Sequence, residues 1–80
     1  MVSLDAKLTN CKICIYPGDH HPPHFHLRGP NSNALIDMVT LEVVIGRASR
    51  QDLDEARAWA SQPEHLALLM SEWRRLNERD

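Results

Sequence analysis

Eighty residues, 42% of them apolar and 25% charged, make one small globular domain with too little chain for a separate catalytic lobe or cofactor fold, and they exclude the disordered and membrane-spanning classes. The net charge of −2 divides into +1 over residues 1–50 and −3 over residues 51–80, so any nucleic-acid role has to rest on a local patch and not on a global field. No secretory leader pattern and no apolar run of about 18 residues occur, and cysteines number only two, which places the chain in the reducing cytoplasm with no membrane partner.

In chain order, the first predicted strand covers residues 12–16, with Cys11, Ile13 and Ile15 on one side. Cys11 and Cys14 form a C-x-x-C, but residues three apart on a strand point to opposite faces. They therefore read as two small buried or half-buried hydrophobes, not as a redox pair or half of a zinc site. The second strand, 24–28, turns Phe25 and Leu27 toward the core and sets His24, His26 and Arg28 on one solvent-accessible face. After the loop 29–33 come apolar runs at 34–39 and 42–45, closed by Gly46. They are either two strands joined near Thr40-Leu41, where Gly, Asn and Asp are lacking, or one longer bent strand. Asp37 between apolar neighbours reads as an edge-strand charge.

Ser49 followed by Asp52 resembles a capping box with a shortened acid and opens a helix over 49–60, with Leu53, Ala56, Trp59 and Ala60 inward. Pro63 suits a first helical turn, and Leu66, Leu69, Met70, Trp73 and Leu76 keep a helical stripe through 63–79. His65, at the start of that helix, reads as a solvated or capping residue. The predicted fold is α+β, a single domain over 1–80: a small antiparallel sheet of three to four strands at about 11–46, followed by a C-terminal αα-hairpin packed on one face. The histidine face of the second strand is then the open one.

Four of the five histidines fall in Asp19-His20-His21-Pro22-Pro23-His24-Phe25-His26. His24 and His26, two apart on a strand, project to the same side roughly 6.5 to 7 Å apart, close enough for both rings to converge on one ion or one phosphate. Pro22-Pro23 stiffens the loop that brings Asp19, His20 and His21 alongside. Adjacent His20 and His21 cannot both point into one site. Imidazole both titrates near neutrality and ligates metals, so two chemistries fit. One is acid–base catalysis by His20, His24 and His26. The other is a divalent transition metal (Zn, Ni or Fe) held by His24 and His26 with Asp19 or His20. A structural role, with rings capping a turn or stacking on proline, is the third reading. Arg28 on the same face, and Arg47 and Arg50 near the helix start, are candidates for binding an anion.

The string from Ile15-Tyr16 through Asp19 to His26, then Ala34-Leu35-Ile36, Gly46, Trp59, Leu66, Leu69 and Trp73, resembles a family of small bacterial proteins known as domain-of-unknown-function family 4160. The resemblance covers about residues 11–74. Its motif positions here are Asp19, His20, Pro22, Pro23, His24, Phe25 and His26, with His21 at the variable position. The stretch Met38-Val39-Thr40-Leu41 departs from it, being less polar than the hairpin turn usual in such proteins. The resemblance implies a toxin-like component of a two-gene toxin–antitoxin-type module, with a small protein from the neighbouring gene as partner and RNA as a target. A metal-binding domain and a non-catalytic interaction or regulatory module are the alternatives.

Overall fold

The computed structural model describes residues 2–18 and 22–77. Five strands run in chain order, β1 (Val2–Leu4), β2 (Lys12–Ile15), β3 (His24–Gly29), β4 (Ser32–Asp37) and β5 (Val43–Arg47), followed by α1 (Arg50–Ala60) and α2 (Pro63–Asn77). The sheet is an antiparallel meander, β1-β2-β3-β4-β5, each strand pairing with its neighbours in sequence. The sheet thus has five strands, not three or four. The additional one, β1, lies before the stretch expected to be sheet and pairs Val2, Ser3 and Leu4 with Ile15, Cys14 and Ile13. Among the described residues no helix is long and apolar enough to cross a membrane.

One face of the sheet is the core. Ile13 and Ile15 of β2, Phe25 and Leu27 of β3 and Ile36 of β4 form a single buried cluster with Ala56 and Ala60 of α1 and Leu69 and Trp73 of α2. Leu53, Trp59, Leu66, Met70 and Leu76 pack against it, so the predicted helical stripes face the core. Both cysteines are free: Cys11 packs beside this cluster, while Cys14 is in register with His26 on the opposite face.

The segment 34–45 is a hairpin, and Asp37 makes the turn. Its Oδ1 accepts the backbone N–H groups of Val39 (2.7 Å) and Thr40 (3.0 Å), and its carbonyl accepts from Leu41 N–H (2.8 Å). Asp37 is therefore a turn anchor on an inner strand and not an edge charge, and it supplies the turn chemistry that Thr40-Leu41 lacks. Leu41 takes φ 61°, and its carbonyl accepts from Arg57 Nε at 2.7 Å, tying the turn to α1.

A buried polar knot fixes the start of α1. Ser49 is the N-cap and accepts from Asp52 N–H (3.1 Å), as expected, but the reciprocal half of the box is supplied from elsewhere: Ser32 Oγ accepts the Ser49 N–H (3.0 Å). Ser32 in turn donates to Asp52 Oδ2 at 2.6 Å, and both residues are buried. Asp52, expected only as part of the cap, thus also binds the sheet to the helix. The Ser32 hydroxyl first, then Cys11 and Ser49, hold its carboxyl below the usual carboxylate value. Burial first, and the adjacent Asp52 second, push the Cys11 thiol up to about 11, which makes it unreactive near neutrality.

The sign of the pH effect follows. A depressed carboxyl contributes stability that is present above its unfolded pKa, near 3.9, and is lost as pH falls through the folded value. Ser32→Ala removes the largest lowering influence and leaves the Ser49 N–H without its acceptor, at a cost of about 1–3 kcal/mol. Its acid-unfolding midpoint by circular dichroism is expected at a higher pH than that of the wild type. Coincident midpoints would contradict this role for Ser32.

Candidate functional site

Cross-strand partners in an antiparallel sheet present their side chains to the same face, so register decides which groups meet. Opposite the core, β2 and β3 place Cys14 beside His26, and β3 and β4 place His26 beside Leu35 and His24 beside Asp37. The period-two assignment therefore holds: Phe25 and Leu27 are fully buried on one side, and His24, His26 and Arg28 lie on the other.

Their exposure is not uniform. Arg28 is exposed and His26 half-buried, but His24 is only 8% exposed. The Trp73 ring of α2 lies 4.9 Å from the His24 ring, centroid to centroid. The expectation that His24 is solvent-accessible is thereby corrected, because an alternation pattern does not register a ring packed on it from a helix far along the chain. Asn77 Nδ2 of the same helix donates to the Tyr16 carbonyl at 3.0 Å, holding α2 at this corner.

The rings form a continuous series. His26 lies 5.5 Å from His24 and meets Tyr16 edge-on at 4.5 Å, and the Arg28 guanidinium sits 5.3 Å over the Tyr16 ring. His24 Nδ1 is 2.9 Å from the Pro22 carbonyl oxygen. A carbonyl oxygen only accepts, so Nδ1 carries a proton, and in the neutral ring the lone pair is on Nε2. The corner thus brings a second imidazole, a phenol and a guanidinium up to a His24 ring held in one tautomer.

Asp19, His20 and His21 lie outside the described residues. Among the described residues no group of three His, Cys, Asp or Glu side chains is placed to hold a metal ion. Of the arginines expected to bind an anion, Arg28 and Arg47 fall in one row across the sheet: Arg28 pairs with Asn33, and Asn33 with Arg47. Arg50 does not join them. It opens α1 with an exposed side chain 4.0 Å from Asp54. Lys12, paired with Arg28 in register, belongs to the same row and was not among the expected residues. Nor was Tyr16 assigned a part. Its alternation with Lys12 and Cys14 was visible, but the strand register that carries it to His26 was not.

His65, read as solvated or capping, does cap: its Nδ1 bonds the Trp59 carbonyl at 2.9 Å, and its ring stacks on Trp59 at 4.2 Å with an 11° tilt. It joins the two helices and has no part in the site.

No curated protein and no solved structure matches the chain. The sequence pattern of one family does, over residues 11–74, a span that takes in β2 to β5 and α1 whole, nearly all of α2, and every ring of the His24–His26 corner. The chain therefore belongs to the family described as Domain of unknown function (DUF4160).

Proposed function

We propose that this protein is the toxin-like member of a two-gene toxin–antitoxin-type module and acts on RNA through the His24–His26 face. The observation that supports this reading is the set of two imidazoles 5.5 Å apart with Tyr16 and Arg28 against them on the sheet face away from the core. Arg28 is suited to hold a phosphodiester, since its planar fork matches phosphate oxygens. One imidazole takes the proton of the ribose 2′-hydroxyl as its oxygen bonds to phosphorus. The other gives a proton to the 5′-oxygen as the P–O5′ bond breaks, leaving a 2′,3′-cyclic phosphate and a free 5′-hydroxyl. The acidic C-terminal helices are the surface offered to a partner protein encoded by the neighbouring gene.

Because His26 is half-buried and His24 is packed, the two separate in a test. His26→Ala is expected to lower RNA cleavage by about a hundredfold or more, at a smaller cost in stability than His24→Ala. His24→Ala is expected to lose activity and also about 1–3 kcal/mol, since it strips a ring from Trp73 and the donor from the Pro22 carbonyl. Cleavage, or growth arrest on expression, that is undiminished in His26→Ala would reject the reading.

One observation favours a second reading. A histidine whose Nδ1 donates to a carbonyl has its Nε2 oriented in the way that metal-bound imidazoles are supported. In that reading His24 and His26, with Asp19 or His20, hold Zn, Ni or Fe. Stoichiometric metal in protein purified without a tag or metal column would favour it over metal-free acid–base chemistry.

A further inference from the structure

The row in which Arg28 stands runs across four strands. Lys12 pairs with Arg28, Arg28 with Asn33 and Asn33 with Arg47, so the four side chains stand side by side on the face opposite the core, spanning about 14 Å at the usual strand spacing. All four are exposed. Like charges directly opposite each other in an antiparallel pair are destabilising, and Lys12 faces Arg28. Among the described residues no carboxylate lies within ion-pair distance of Lys12, Arg28 or Arg47; Asp54 of α1 and Glu72 of α2 pair instead with Arg50 and Arg75. At its β5 end the row meets an open groove lined by Gly29, Pro30, Asn31, Ser32, Asn33, Gly46 and Arg47.

We infer that Lys12, Arg28, Asn33 and Arg47 are a track for the phosphate backbone of a single-stranded nucleic acid laid across the sheet. The three cations neutralise successive phosphates and Asn33 donates to an oxygen between them. The neighbouring row explains why the ligand is a nucleic acid and not an acidic peptide. Two residues along β3 stands His26 and, farther on β2, Tyr16, half-buried rings packed edge-on against each other with the Arg28 guanidinium over Tyr16. A basic track beside aromatic rings is how single strands are held without sequence preference. The overall charge of −2 does not oppose this, because the excess acid belongs to residues 51–80. The track deepens the proposed RNA chemistry by naming how the strand is held, and it is testable apart from cleavage.

The probe is a fluorescein-labelled single-stranded DNA of about a dozen nucleotides, which lacks the 2′-hydroxyl and so cannot be cut by the proposed route. Anisotropy titrations across a salt series give the slope of log K against log salt, and each phosphate neutralised on a single strand contributes about 0.7. The triple variant Lys12→Ala/Arg28→Ala/Arg47→Ala is expected to flatten that slope by about 2. Arg75→Ala, an exposed arginine on α2 paired with Glu72, is expected to leave it unchanged. Melting curves verify that the variants remain folded. DNA binding that depends on the row, with no RNA cleavage by the wild type, upholds the track and rejects the nuclease reading. RNA cleavage with a slope indifferent to the triple substitution rejects the track alone. Absence of binding by the wild type, or tighter binding of a polyglutamate peptide than of the DNA, also overturns the track.

Discussion

Trp73→Ala is expected to destabilise the protein by about 3–5 kcal/mol. Trp73 is fully buried, and with Leu69, one turn earlier on α2, it carries the helix's contact with Ile13, Ile15 and Phe25. A domain of this length holds about 4–12 kcal/mol in all, so roughly a quarter or more of the stability goes with the ring. The melting temperature is expected to fall by about 12 °C or more. The same ring packs on His24, so the variant that loosens the helix also loosens the corner where the imidazoles sit. Urea denaturation decides the matter: a loss under about 1 kcal/mol would mean that α2 does not carry the core.

Gly46→Ala is expected to disrupt β5. Gly46 adopts φ 89°, a conformation that costs an L side chain about 1–3 kcal/mol. A Cβ there would also run into the Asn33 carbonyl oxygen and stand 3.1 Å from the Ala34 Cα. Both obstacles are backbone, so the strand has to move. Gly46 lies just past an irregularity in the β4–β5 register between Leu35 and Ile36, where the pairing already departs from regular spacing. Amide hydrogen exchange is expected to show faster exchange through Val43–Arg47, and DNA affinity is expected to fall as Arg47 leaves the row. A variant with wild-type melting and exchange would show that the strand tolerates the methyl group.

The parts of the fold that were legible in the sequence are those in which a local period reports burial. Phe25 and Leu27 alternate, the α2 stripe recurs at helical spacing and Ser49 caps as its chemistry dictates. What escaped was set by groups far apart in the chain. β1 is three residues long, too short for alternation to declare itself, and exists because β2 offers it an edge. Asp52 reads as part of the cap alone until Ser32, twenty positions earlier, is placed against it. Asp37 looks like an intruder in a strand because its partners are the backbone amides of the turn it makes. At the candidate site the histidine face was legible, but the burial of His24 depends on α2, and the row of Lys12, Arg28, Asn33 and Arg47 exists only through register across three strand pairs.

The meander has a consequence for the order in which the chain closes on itself. Lys12 and Arg28 are the most widely separated partners in the sheet, so every strand pairing closes a loop of no more than sixteen positions. The bonds that seat the helices span far more chain, 46 positions between Thr9 and Glu55 and 61 between Tyr16 and Asn77. Closure entropy grows with loop length and has to be met before a distant contact stabilises anything. Sheet assembly is thus a succession of near-neighbour events, while docking of α2 is the step that gathers the ends of the molecule. His24 meets Trp73 only at that step, so the packed surroundings of the corner belong to the finished fold and are absent from the sheet alone.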